Sequence, residues 1–191
     1  MTNFKHVLIL MAGMPGAGKS TVAQAIGCEF GIPSVDKDVI LSALLKEGVP
    51  ENLAQPASYR ALFDLAESLV IHQQLSVVLD SPCAFPSTLE AAQRICRAAS
   101  ATLIPVLCSA DRDARNNRVA TRNALRSQPI GVSKTQGNAR ERFEHLPGDT
   151  IEVDTMKPLD EIIPEVLTAI RSRFGESHRL VQRTSESIRT S

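Results

Sequence analysis

The chain has 191 residues, 43% of them hydrophobic and 22% charged, and its 21 Lys and Arg balance 21 Asp and Glu. These values are typical of a globular domain and exclude wholesale disorder and collagen-like repeats. A net charge of zero gives no global attraction to nucleic acid or to an anionic membrane. The apolar runs are too short to cross a bilayer, and no signal peptide is evident, so we predict a cytoplasmic protein with reduced cysteines.

Apolar periodicity alternates between strands and helices along the chain. In chain order, we predict strand 6–12, helix 20–30, strand 32–35, helix 38–46, loop 48–56, helix 57–73, strand 76–79, helix 86–99, strand 102–108, helix 111–125, loop 127–138, strand 151–154 and helix 159–174. Strands that alternate with helices through short connections are typical of a parallel sheet covered on both faces. The pattern therefore predicts a three-layer α/β fold with five parallel strands.

Residues 13–20 read GMPGAGKS and satisfy the pattern G-x-x-x-x-G-K-[ST] in full, between a predicted strand and a predicted helix. In such a phosphate-binding loop (P-loop), glycines let successive N–H groups point at phosphate oxygens, and the helix dipole adds to them. The lysine places a charge on the β- and γ-phosphates, and the serine hydroxyl is a ligand for magnesium. The residues assigned to this nucleoside triphosphate site are Gly13, Pro15, Gly16, Ala17, Gly18, Lys19, Ser20 and Thr21, with Lys19 also catalytic and Ser20 also a metal ligand.

Carboxylates follow the next two predicted strands. Asp36 and Asp38 come after the second strand, and Asp80 comes after the third. Because ligands of a parallel sheet gather at the carboxyl ends of its strands, one of these acids could accept the proton of an attacking hydroxyl. Asp38 could instead be only a helix N-cap, and Asp36 could be merely solvated. Asp80 could bind the magnesium shell or the acceptor, or could only form a turn before Ser-Pro.

The segment 111–142 contains eight Lys or Arg and only three Asp or Glu. Phosphoryl transfer spreads negative charge over the moving group, and an arginine-bearing lid can stabilise that charge and exclude water. The alternative is a solvated helix face or a nucleic-acid contact. Arg118 and Arg122 are the predicted catalytic arginines of such a lid.

The order GMPGAGKS, VDKDVILSALL, SVVLDSPC, DRDARNNRVATR, FEHLPGD and IEVDT resembles the small P-loop kinases of the zeta-toxin, chloramphenicol phosphotransferase and polynucleotide kinase type. The resemblance covers residues 5–172 and implies a P-loop NTPase fold that uses ATP and Mg²⁺ to phosphorylate a hydroxyl. It further implies that Asp38 activates that hydroxyl and that Arg118 and Arg122 touch the triphosphate. Many relatives carry Arg or Lys soon after this acid, but this chain has Leu41, so that acceptor contact is missing or replaced.

The resemblance divides the chain into a kinase domain over 1–174 and a polar tail over 175–191. Within the domain, an insert at about 44–74 is expected to bind the acceptor, and 111–142 to form the lid. The predicted acceptor contacts are Asp36, Asp80, Tyr59 and Arg60. Six Phe, one Tyr and no Trp argue against a stacking platform for single-stranded nucleic acid.

The predicted function is transfer of the ATP γ-phosphoryl group to a hydroxyl of a small molecule. Three alternatives stay open at this point. They are a nucleotide-binding regulatory ATPase without an acceptor of its own, a polynucleotide 5′-hydroxyl kinase, and a toxin-like kinase that acts on nucleotide sugars. The sequence also leaves open which of Asp36, Asp38 and Asp80 is the general base.

Overall fold

The computed structural model describes residues 6–121 and 143–174. Its strands are β1 (Val7–Ala12), β2 (Ser34–Asp36), β3 (Val77–Asp80), β4 (Thr102–Ser109) and β5 (Ile151–Asp154). Its helices are α1 (Lys19–Phe30), α2 (Lys37–Lys46), α3 (Glu51–Glu67), α4 (Pro86–Ala99), α5 (Arg112–Thr121) and α6 (Leu159–Phe174), and a π-helical segment (Ser68–His72) follows α3. The strands form one sheet in the order β2-β3-β1-β4-β5, and each neighbouring pair is parallel.

Both faces of the sheet are covered by helices. The central strand β1 is fully buried, as its uninterrupted apolar sequence predicts for a parallel strand. Its side chains alternate, so that Val7 and Ile9 pack in a core with α1 and α6, whereas Leu8 and Leu10 pack in a second core with α3 and α4. This arrangement confirms the predicted three-layer α/β fold with five parallel strands.

The strand order determines which loops lie next to each other at the carboxyl ends of the strands. Strand β1 lies in the middle, with β3 and β2 on one side of it and β4 and β5 on the other. The loop after β1 is therefore flanked by the ends of β2 and β3 on one side and by those of β4 and β5 on the other. In sheets of this kind, ligands bind outside the carboxyl ends of the strands, where the direction of connection reverses.

One predicted helix start is wrong, and the start of α2 differs from the prediction by one residue. The loop predicted at 48–56 is wrong from Glu51 onward, because α3 begins there and accommodates Pro56 inside the helix. Helix α2 begins at Lys37 and has Asp36 as its N-cap, because an oxygen of the Asp36 carboxylate accepts a hydrogen bond from the Asp38 N–H at 2.7 Å. Asp38 is therefore not the cap but lies in the first turn.

The remaining elements agree with the prediction to within a few residues. The end of the predicted helix 111–125, the predicted loop 127–138 and the tail 175–191 lie outside the described residues. Within the described ranges, no helix combines the length and the hydropathy that a membrane-spanning segment needs.

Candidate functional site

The loop between β1 and α1 has the backbone conformation of a phosphate cradle. Gly16 and Gly18 have φ of 78° and 81°, a region that residues with a Cβ rarely adopt. A Cβ on Gly16 would also lie 2.5 Å from the Arg115 carbonyl oxygen, so the loop packs directly against α5. Helix α1 begins at Lys19 with no side-chain cap, which leaves the N–H groups of its first turn directed at this loop.

A cavity of about 580 Å³ opens in front of this loop. It is lined by Pro15, Gly16, Gly18, Lys19, Ser20, Thr21, Asp36, Lys37, Asp38, Gln55, Asp80, Ser81, Pro82, Arg118 and Thr121. The structure thus brings together the predicted P-loop residues, the three predicted carboxylates and Arg118, which come from four separate segments of the chain.

Some predicted site residues lie elsewhere. Gly13 and Ala17 are buried residues of the loop and do not line the cavity. Tyr59 and Arg60 line a second cavity of about 490 Å³ between α3 and α4, and the exposed Arg60 pairs with Asp64 at 3.0 Å. Tyr59 nevertheless reaches the first site indirectly, through Lys37. Arg122 lies outside the described residues.

The Lys37 side chain links two of these groups, and the sequence analysis missed it. Its Nζ lies 2.7 Å from a carboxylate oxygen of Asp38 and 5.3 Å from the centre of the Tyr59 ring. Lys37 is only 5% exposed although it lines the cavity, and long basic side chains are rarely buried without such a pair. Lys37 stands between Asp36 and Asp38 in the sequence, and this position could have indicated that its side chain belongs to the site.

The other two carboxylates are held in surroundings that disfavour their charge. Burial, together with the nearby charge of Asp80, raises the pKa of Asp36 to about 6. Burial also raises the pKa of Asp80, although a hydrogen bond from Ser20 and the positive charge of Lys19 partly oppose this. The P-loop lysine itself folds over its own loop, and its Nζ donates to the Met14 carbonyl oxygen at 3.1 Å.

On the opposite side of the loop, Arg118 ties α5 to the chain after β5. Its guanidinium donates to the Thr155 hydroxyl at 3.0 Å and to the Thr155 carbonyl at 2.7 Å, and it lies 3.4 Å from the Gly16 carbonyl. Thr155 is buried, and its hydroxyl lies 3.0 Å from the carbonyl oxygens of Ala17 and Ser109. We did not predict Thr155, although a polar residue directly after a strand of this sheet was a usable signal.

The donor atoms fit a bound magnesium ion. Mg²⁺ prefers hard oxygen ligands, and P-loop proteins supply a hydroxyl and a carboxylate. Here the Ser20 hydroxyl acts on the Asp80 carboxylate and lowers its pKa, and both residues line the cavity beside Lys19. These two side chains are the ones that would hold the ion.

The fold and the site define a P-loop protein of the kinase-like α/β type. An AAA domain family matches residues 8–146, and the chain therefore belongs to that family. It is 33% identical over 95 residues to an adenylate kinase of Mycobacteroides abscessus; this match covers 46% of the chain and 52% of the relative. The chain thus spans about half the length of that curated relative.

Two solved structures share the fold. One is the APS kinase of Mycobacterium tuberculosis in complex with AMPPNP and APS, with a TM-score of 0.62, 17% identity and coverage of 87% of this chain and 98% of that one. The other is a gluconokinase from Sinorhizobium meliloti 1021, with a TM-score of 0.57, 20% identity and coverage of 92% and 99%. At these identities the likeness shows the fold alone. The narrower resemblance to the zeta-toxin type stays a prediction.

Proposed function

We propose that the protein is an ATP-dependent kinase that transfers the γ-phosphoryl group of ATP to a hydroxyl of a small molecule in the cytoplasm. The observation that carries the proposal is the shared cavity, which joins a complete P-loop to three carboxylates and one arginine. The adenylate kinase, APS kinase and gluconokinase likenesses support it, because each of those proteins is named as a kinase.

Positioning and charge compensation carry the proposed reaction. The N–H groups of the loop and the Lys19 ammonium hold the β- and γ-phosphates, and Arg118 adds a positive charge from the β4–β5 side. Magnesium, when bound by Ser20 and Asp80, supplies further charge neutralisation at the phosphates. The acceptor oxygen forms a bond to the γ-phosphorus while the bond to the β-phosphate oxygen breaks, and ADP leaves.

Asp38 is the proposed general base that takes the proton of the acceptor hydroxyl. Three observations favour it over its neighbours. The Asp36 carboxylate is used to cap α2, and the Asp80 carboxylate is engaged by Ser20. Asp38 lines the cavity and its carboxylate is oriented by Lys37 at 2.7 Å, which suits a group that must meet a substrate in one geometry.

The test compares two variants with the wild-type protein. We expect Lys19→Ala to abolish phosphoryl transfer and to leave the fold intact, as judged by circular dichroism and thermal unfolding. Asp38→Asn should leave ATP affinity near normal and reduce transfer by about 100-fold or more, because the proton acceptor is lost. The variant also removes the charge paired with the buried Lys37, so its fold is checked by the same two measurements. ATP affinity is measured by calorimetry, and transfer by ADP release in the presence of hydroxyl-bearing metabolites.

Three outcomes would contradict the proposal or one of its parts. Absence of binding heat with both ATP and GTP would remove the nucleotide site on which it depends. Normal transfer by Asp38→Asn would move the role of base to Asp36 or Asp80. ATP hydrolysis without transfer to any acceptor would favour the regulatory ATPase instead.

A further inference from the structure

One polar group in the cavity has no role in the chemistry described so far. Ser81 follows β3 directly after Asp80 and lines the cavity, yet the residue is only 1% exposed. Its hydroxyl makes no hydrogen bond with the part of the chain that the structure describes. A buried hydroxyl without a partner costs on the order of a hydrogen bond, so proteins retain one where a ligand completes it.

The loop that carries Ser81 is held firmly on both sides. The Gly13 N–H donates to the Pro82 carbonyl at 3.2 Å, which ties the loop to the P-loop. On the other side, His145 Nε2 lies 3.1 Å from the Cys83 carbonyl oxygen. The hydroxyl is therefore presented from a fixed backbone, and rotation about χ1 moves it among three staggered positions.

The charges around Ser81 restrict what can bind there. The β2–β3 side of the cavity carries the carboxylates of Asp36, Asp38 and Asp80. Two described cations face these carboxylates: Lys37 is already paired with Asp38 at 2.7 Å, and Lys19, which acts on Asp80, is assigned to the phosphates of ATP. A phosphate, sulfate or carboxylate on the acceptor would meet like charge in a partly desolvated site, where such repulsion is strong.

Neutral hydroxyl groups and ammonium groups are not repelled by these carboxylates. Both donate hydrogen bonds, and carboxylates and serine oxygens accept them. Gln55, which also lines the cavity, adds an uncharged amide that donates and accepts. The whole lining of this side therefore matches a molecule rich in donors and without negative charge.

We propose that the acceptor is an uncharged or cationic compound with several hydroxyl groups, such as a polyol or an amino sugar, and that the Ser81 hydroxyl binds a hydroxyl of it next to the one that is phosphorylated. This inference rests on the proposed kinase function. It differs from what the adenylate kinase and APS kinase likenesses would suggest, because AMP and APS are anions.

The first test sorts acceptors by charge. ADP release from ATP and magnesium is measured with the full chain on three equal groups of hydroxyl compounds: neutral sugars and polyols, amino sugars and amino alcohols, and sugar acids, sugar phosphates and AMP. We expect the best kcat/KM in the first two groups, at least about 100-fold above any anion. An anion as the best acceptor overturns the inference and leaves the kinase standing. No turnover in any group overturns the kinase function and the inference with it.

The second test uses Ser81→Ala with the best acceptor. We expect KM for the acceptor to rise about tenfold, with kcat and KM for ATP within twofold of wild type. Without ligand, thermal stability should be unchanged or slightly higher, because the substitution removes a buried hydroxyl that makes no hydrogen bond with the described residues. The matched control is Ser87→Ala, whose exposed side chain lines the second cavity and should leave both KM values unchanged. A rise in KM for ATP, or an unchanged KM for the acceptor, would overturn the role of Ser81.

Discussion

The two sides of the P-loop differ in charge and in how their groups are held. On the β2–β3 side lie three carboxylates, and burial raises the pKa of two of them, Asp36 and Asp80. On the β4–β5 side, the Arg118 guanidinium is fixed by oxygen atoms of Thr155 and Gly16. The sheet order therefore separates different tasks of the proposed reaction. In that reaction Arg118 compensates charge of the nucleotide from the β4–β5 side, whereas the carboxylates of the β2–β3 side take up the proton and hold magnesium.

The largest expected effect is on ATP affinity and concerns the P-loop, which lies between the two sides. Gly16 and Gly48 have nearly the same positive φ, 78° and 81°. A Cβ on Gly16 would lie 2.5 Å from the Arg115 carbonyl, whereas one on Gly48 would meet nothing within 4 Å. We therefore expect Gly16→Ala to weaken ATP binding by about 100-fold or more, because the loop must move away from α5 to relieve the clash.

The control for this prediction is Gly48→Ala. It carries the same conformational strain, so it should cost about 1 kcal/mol of stability while ATP affinity stays normal. Calorimetry with ATP and thermal unfolding of both variants separate the two effects. Binding by Gly16→Ala within threefold of wild type would contradict the view that the packing of the loop against α5 sets the phosphate cradle.

A smaller effect is expected on the β4–β5 side. Arg118→Ala removes the positive charge that lines the cavity there and the link between the P-loop and Thr155. We expect ATP affinity to fall about tenfold, a loss typical of one charge-assisted contact. Arg112→Ala on the same helix, whose side chain is exposed, should leave the affinity unchanged. Equal effects of the two variants, measured by calorimetry at one ionic strength, would show that only the overall charge matters.

The fold and most of the cavity lining could be predicted from the sequence, because they depend on local signals. The apolar period of each strand and the glycine pattern of the P-loop are local signals, and the parallel topology then brings the ends of the strands together. The three acids were found in this way, because Asp36 and Asp80 end β2 and β3 and Asp38 lies in the first turn of the helix after β2. Thr155 also follows a strand of the sheet, so the same reasoning could have predicted it.

The remaining features depend on packing that no local pattern encodes. The start of α3 at Glu51 was missed because Pro56 is accommodated inside the helix. Tyr59 and Arg60 were assigned to the acceptor by their place in the insert, but the direction of α3 places them on another cavity. The pairing of Lys37 with Asp38 and the lone hydroxyl of Ser81 depend on distances across the site, which only the folded chain defines.

The smallest expected effect concerns the β2–β3 side and appears as a pH dependence of stability. The pKa of Asp36 is about 6 in the folded protein against an ordinary value of 3.8. Between these values the folded chain binds more protons at this residue than the unfolded chain, so its contribution to stability decreases as the pH rises from about 4 to about 6 and stays low above that.

Asp36→Asn removes this titration and keeps a side-chain oxygen that can cap α2. Without nucleotide and magnesium, the stability of the variant relative to wild type should therefore rise from pH 4 to pH 6 and then level off. We expect a gain of about 1 kcal/mol at pH 7, because partial exposure of Asp36 reduces the effect of the pKa shift, or about 2–4 °C in Tm. Glu90→Gln, on an exposed position of α4, makes the same change in charge and should show no such trend. A gain in stability for Asp36→Asn that is the same at every pH would mean that the folded protein does not raise the pKa of Asp36. The two sides of the loop would then differ in geometry alone.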